Sequence, residues 1–205
     1  QVAFVVDRRF DVYRTHRALL GAQNIWRIKH LVGPGEVKQE SENADRARLF
    51  ARLEELGIVS ATIEHEPMFT VEQSRALRAS IPGAHTKNLF LTDKDGRALL
   101  VAAKDDTRVD LKLVAERLGL GRLSFGKPEL LLALLGVTPG SVTPFALIND
   151  PEARVTVVVD EALLAFAEVN FHPLVNSATT RLATPDLLRF IRACGHEPRL
   201  LRLAA

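Results

Sequence analysis

Four short segments concentrate the side chains able to do chemistry: HEPMFT (65–70), GAHTKN (83–88), GVTPGSVTPFALIND (136–150) and VNFHPLVNSATT (169–180). Each joins polar residues to a strand end or a tight turn, where binding groups are presented on a rigid scaffold. Lys87 sits at the mouth of the apolar run Leu89-Phe90-Leu91. A lysine there either snorkels to solvent or fixes a cation that holds a phosphate or a developing oxyanion; spacing alone favours the first. His172, followed by Pro173, is either a satisfied structural histidine or an acid–base group. Pro139-Gly140-Ser141 reads as a tight turn with backbone N–H groups to offer an anion. Asn88, Asn176, Thr179 and Thr180 are either donors lining a pocket or turn and strand-edge residues.

Other chemistries lack their motifs. The chain has no Walker loop, no G-x-G-x-x-G, no H-E-x-x-H and no G-x-S-x-G. His65, His85 and His172 do not have metal-ligand spacing, so neither a metal nor another cofactor is expected. The single cysteine, Cys194, falls on the apolar face of the last predicted helix and reads as packing rather than as a nucleophile.

The elements that must hold these segments follow from periodicity. NADRARLFARLEELG places Leu49, Phe50, Leu53 and Leu56 on one helical face before Gly57. VSATIEHE alternates as a strand, and NLFLTDKDGRALLVAA is a hairpin turning at Asp95-Gly96. TVEQSRALRAS, VDLKLVAERLG, KPELLLALLG and TPDLLRFIRACG read as helices, the last with Thr184 as its cap. FALIND, RVTVVVD and AFAEVNFH read as further strands. Strands come partly in hairpins, and helices do not alternate with them one for one. That pattern predicts an α+β fold with a mixed or mainly antiparallel sheet.

Composition bounds the rest. With 205 residues, 47% of them hydrophobic, the chain can bury one substantial core. A net charge of +2 permits a nucleic-acid partner without requiring one. One cysteine excludes an internal disulfide framework and suits a reducing, cytoplasmic setting. No apolar run is long enough to span a bilayer, so no membrane partner is expected. Residues 1–42 hold the only Trp and Tyr and close on VGPGEVKQESEN, a linker signal; they read as an N-terminal extension, either a dispensable or artefactual one or a basic arm for RNA. The regular domain is 43–205. Oligomeric state is left open.

Taken together and in this order, HEPMFT, GAHTKNLFLTDKDG, LSFGKPELLLALLGVTPGSVTPFALIND and VNFHPLVNSATT resemble the YbaK-like aminoacyl-tRNA editing family. This is the superfamily of the insertion domain of bacterial prolyl-tRNA synthetases, and the likeness is greatest to freestanding Ala-tRNA(Pro) deacylases, the prolyl-tRNA synthetase-associated domain proteins. The resemblance runs from about residue 44 to about residue 200. It implies a mixed, largely antiparallel, barrel-like sheet wrapped by helices, and hydrolysis of the ester joining a wrong amino acid to tRNA. It implies catalytic positions at Lys87, Asn88, Gly140 and His172, and substrate-binding positions at Thr70, Ser141, Phe171, Asn176 and Thr179. Phe171, His172 and Asn176 are expected in the pocket wall, with Ile81, Leu89 and Phe145 as apolar neighbours, and 71–84 is either a lid or a static helix and turn. The implied partner is tRNA(Pro) through its acceptor end, with prolyl-tRNA synthetase as a further candidate. Alternatives are a deacylase of Cys-tRNA(Pro) or another mischarged tRNA, and a tRNA-binding module without catalysis.

Overall fold

The computed structural model describes residues 34–66 and 80–204. Thr70 and all but Ser80 of the expected helix TVEQSRALRAS therefore fall outside the described residues, as does most of the N-terminal extension. Glu42–Ala205 forms a compact unit of its own.

Eight strands form one mixed sheet: β1 (Ser60–Glu64), β2 (Ala84–Thr92), β3 (Ala98–Lys104), β4 (Ser124–Phe125), β5 (Val155–Asp160), β6 (Glu168–Phe171), β7 (Ala178–Ala183) and β8 (Arg199–Leu201). Their order is β1-β7-β6-β2-β3-β5-β8, with β4 alongside β2. Four pairings are antiparallel and three, β2 with β6, β3 with β5 and β5 with β8, are parallel. The described helices are α1 (Pro34–Glu55), α2 (Leu111–Leu118), α3 (Pro128–Leu135) and α4 (Thr184–Ala193). None is long and apolar enough to cross a membrane.

Local chemistry accounts for the elements. The β2–β3 turn is closed by Asp93, whose Oδ1 accepts from the N–H groups of Asp95 and Arg97, each at 2.9 Å. Asp110 caps α2 by accepting from Lys112 and Leu113, and Gly119 ends it in the left-handed region at φ 64°. Three expectations differ. FALIND is a 3-10 helix, Pro144–Asn149, not a strand: Pro144 lacks the N–H a ladder needs, and Thr143 Oγ1 accepts from Phe145 N. The supposed linker before residue 43 is helical from Pro34, where proline fits a first turn and Glu, Lys and Gln favour helix. Thr184 does not cap α4; its hydroxyl donates to Phe166 O at 2.6 Å.

The two faces of the sheet are covered unequally, and this positions the site. On one face Phe90, Leu100, Val157, Val169, Phe171 and Leu182 meet α1, α3, α4 and the 3-10 helix in the main core. Phe145 stands edge-on to both Phe171 (6.0 Å between centroids) and Phe190 (5.4 Å). On the other face a smaller cluster, Leu91, Leu99, Val101, Ala103 and Val158 under Val114 and Ala115 of α2, covers the β3–β5 half only. The β2–β6–β7 part of that second face carries mainly polar side chains, and β1 adds Ala61 and the exposed Ile63.

Cys194 closes α4 and packs against the main core. Burial pushes its thiol up to about 11, Arg52 opposing weakly. Since only the thiolate is nucleophilic, alkylation by iodoacetamide at pH 8 is expected to be at least about tenfold slower in the folded protein than in denaturant. Equal rates would show the thiol to be reactive in the native fold.

Candidate active site

Strand alternation decides which polar residues meet. Successive side chains on a strand point to opposite faces, and in β2 Phe90 enters the main core while Leu89 and Leu91 join the smaller cluster. Asn88 therefore shares the Phe90 face, and Lys87 and His85 share the other. The parallel pairing of β2 with β6 sets Ala84 against Val169 and His85 against Asn170; carried two residues beyond the pairing, the same register directs Lys87 toward His172. The antiparallel pairing of β6 with β7 sets Phe171 against Thr180, so His172 comes level with Thr179. Thr179 in turn pairs with Ile63 of β1. Lys87, His172, Thr179 and the end of β1 thus make a row across the half of this face that no described helix covers.

The gap holding Lys87 has a clear origin. On the edge of β2 away from β3, β6 pairs with Ala84 and His85, and β4 pairs with Leu91 and Thr92. The stretch between them has no strand partner on that edge. Gly83 makes the close approach to β6 possible: at φ 93°, an added Cβ would lie 2.9 Å from Glu168 O. Lys87 is half-buried, opposite Ala103, and among the described residues it has no ion pair. The Asp106 carboxyl is held below its ordinary range, first by a hydrogen bond from Lys104 and, least, by the charge of Lys87. A half-buried ammonium without a carboxylate at salt-bridge distance is suited to an incoming anion.

The histidines are oriented by backbone. His172 Nδ1 lies 2.9 Å from Ala178 O. A carbonyl only accepts, so Nδ1 carries the proton and the neutral ring keeps its lone pair on Nε2. His65 lies beside it, ring centroids 6.4 Å apart, with Nε2 3.0 Å from Thr179 Oγ1. HEPMFT suggested only Thr70 as a contact; His65 was missed. The signal that finds it is register: Glu64 pairs with Ala178, and His65 N donates to Ser177 O, which brings the next side chain of β1 beside Thr179.

The turn Thr138–Ser141 lies between two asparagines. Ser141 N donates to Thr138 O at 3.0 Å, with Pro139 and Gly140 (φ 91°) at the corners, the type II pattern. Ser141 N–H is thereby consumed and its side chain is buried, whereas Gly140 N–H has no partner among the described residues. Asn88 Nδ2 donates to Val142 O at 3.0 Å, and Asn88 Oδ1 is buried without a partner. On the far side, Asn176 Nδ2 lies 3.8 Å from where a Cβ on Gly140 would be. Asn88 is not brought into the Lys87 row; it anchors the turn from the opposite face. Phe171, expected in the pocket wall, lies instead in the main core with Phe145. Thr179 Oγ1 lies against His65 Nε2, but the ring's Nδ1 faces the Glu66 carbonyl, and among the described residues no carboxylate stands behind it as in an activated nucleophile.

The comparisons with known proteins bear on the family and the fold. The family model for the aminoacyl-tRNA editing domain matches residues 65–190. The prolyl-tRNA editing protein ProX of Acetoanaerobium sticklandii is 37% identical over 156 residues, 76% of this chain and 95% of its own. Prolyl-tRNA synthetase associated domain-containing protein 1 of Danio rerio is 37% identical over 172 residues, 83% of this chain and 89% of its own. A solved structure described as a candidate trans-editing enzyme for prolyl tRNA synthetase superposes with a TM-score of 0.63 at 22% identity, covering 78% of this chain and 97% of that one, which bears on the fold. The chain belongs to the aminoacyl-tRNA editing domain family. Its activity class is that of an aminoacyl-tRNA deacylase, a hydrolase.

Proposed function

We propose that this protein deacylates mischarged tRNA(Pro) in trans, with the alanyl ester as its substrate. The observation that carries the mechanism is the row Lys87–His172–Thr179 on the half of the sheet that no described helix covers, a cation and oriented polar groups without a carboxylate-backed nucleophile among the described residues. An aminoacyl ester is already activated, so a positioned water and a stabilised oxyanion suffice. Water oxygen bonds to the ester carbon and the carbonyl oxygen takes the negative charge. The carbon–ribose oxygen bond then breaks, and the ribose oxygen leaves with a proton. Lys87 meets the anionic tRNA end or the oxyanion. Gly140 N–H is a further donor, in a turn that Asn176 borders and that is followed by Val142, whose carbonyl accepts from Asn88. His172 and Thr179 face the acyl group; Ser141 supports the turn, and Thr70 completes the substrate contacts.

Names of the relatives support tRNA(Pro) as the carrier, and prolyl-tRNA synthetase is a candidate docking partner. Alanine is favoured by need: a pocket discriminates one methylene by only ~1–3 kcal/mol, so a synthetase that accepts proline needs a second site to clear the smaller amino acid. Deacylation of Ala-tRNA(Pro), Cys-tRNA(Pro) and Pro-tRNA(Pro) by the purified protein is the test. The expected result is loss of the alanyl ester with the prolyl ester spared. Preferential loss of the cysteinyl ester would reassign the substrate, and binding without hydrolysis of any ester would make the protein a tRNA-binding module.

A further inference from the structure

His65 contacts two groups whose chemistry fixes its tautomer. Its Nδ1 lies 2.9 Å from Glu66 O and its Nε2 3.0 Å from Thr179 Oγ1. The Glu66 carbonyl can only accept, so Nδ1 is the protonated nitrogen and Nε2 of the neutral ring is an acceptor. The Thr179 hydroxyl must then donate its hydrogen to His65. With its one proton committed, Thr179 Oγ1 offers only lone pairs to anything else, and no other hydrogen bond to it is formed among the described residues.

We infer that His65 is a positioning residue that makes Thr179 an acceptor for the α-amino group of the aminoacyl ester. This rests on the deacylase reading above. A hydroxyl presenting lone pairs cannot serve the ester carbonyl, the oxyanion or a phosphate, which are acceptors themselves. It can serve only a donor, and every aminoacyl ester brings an ammonium or amine that loses water on binding. Placement agrees with charge. Thr179 stands two strands from Lys87, roughly 10 Å at the usual strand spacing, so the substrate's ammonium is kept away from the lysine while its anionic end meets it. His172, between them, lies level with the acyl carbon that joins those ends. The neighbouring hydroxyl, Thr180, is not equivalent: it is buried on the core face and bonded to Thr62 Oγ1 at 2.8 Å.

The test compares two esters of one tRNA(Pro), alanyl and propionyl, which differ by the amino group alone. For wild type, His65→Leu, His65→Gln, Thr179→Val and the double variant His65→Leu/Thr179→Val, kcat/KM is measured on each ester. A lost hydrogen bond to a charged group predicts that His65→Leu and Thr179→Val each lose about tenfold or more on the alanyl ester and less than about twofold on the propionyl ester. Glutamine can place an acceptor near the Nε2 position, so His65→Gln should retain most activity. The double variant should be no worse than Thr179→Val, because the histidine acts through that hydroxyl. Equal losses on both esters, or additive losses in the double variant, would overturn the assignment while leaving deacylation intact. Hydrolysis of neither ester by the wild type would instead overturn the deacylase reading. Should His65→Leu fail to fold, the ester ratio of Thr179→Val and the activity of His65→Gln decide the matter.

Discussion

Replacing Lys87 with alanine is expected to lower kcat for aminoacyl ester hydrolysis by about 10²–10³-fold, the range seen when one preorganised oxyanion group is removed. The ammonium has the features that make such a group effective. It is half-buried, so the field it exerts is less screened than that of an exposed lysine. It has no carboxylate at ion-pair distance among the described residues, so no internal partner must be displaced. It projects from the middle of β2, held by pairing with β3 along Thr86–Thr92, so little reorganisation accompanies the reaction. Stability should change little, since the substitution removes a charge opposite Ala103 and leaves the ladder intact. Lys87→Arg separates two roles. A guanidinium supplies the charge but is larger and planar; it should preserve tRNA affinity better than turnover. Unchanged turnover in Lys87→Ala, with chemistry shown to be rate-limiting by single-turnover measurement, would remove the lysine from the mechanism.

Much of the scaffold could be read before the structure. The β2–β3 hairpin follows from two apolar runs around Asp95-Gly96, and α2, α3 and α4 from their apolar periodicity and the Gly119, Gly136 and Gly195 that follow them. Short-range rules fail where one residue outweighs a pattern. Pro144 turned FALIND into a 3-10 helix although its apolar residues suit a strand. The parallel pairings of β2 with β6 and β3 with β5 join segments far apart in the chain, and no local signal specifies them. The site depends on the first of these, because that pairing, carried past His85, directs Lys87 toward His172. A simpler rule was available and carries a correction: adjacent strand residues cannot share a face. Lys87 and Asn88 are neighbours in sequence and serve different faces, as do Phe171 and His172. Motif reading groups such pairs as one site, whereas the pleat assigns one member to the substrate face and the other to support.

Phe171→Ala follows from that division and is expected to destabilise the fold by about 3–5 kcal/mol, the usual cost of deleting a buried phenylalanine. The ring is 2% exposed and meets Phe145 edge-on, and Phe145 meets Phe190 in the same way. Removing it opens a cavity beneath β6 that the 3-10 helix and α4 cannot fill without leaving their own contacts. At roughly 2–4 °C per kcal/mol for a chain of this size, the melting temperature should fall by about 6–20 °C. Selectivity should not follow stability. If Phe171 lined the acyl pocket, its truncation would enlarge that pocket and relax discrimination between alanyl and prolyl esters. On the opposite face, it should leave the ratio of the two rates unchanged at temperatures where the variant remains folded. Phe171→Leu, which keeps most of the volume, should cost about 1–1.5 kcal/mol with the same unchanged ratio. A relaxed ratio in the leucine variant without loss of stability would place the ring at the substrate; a lower melting temperature with preserved selectivity would fit a residue whose work is to hold β6 flat beneath His172.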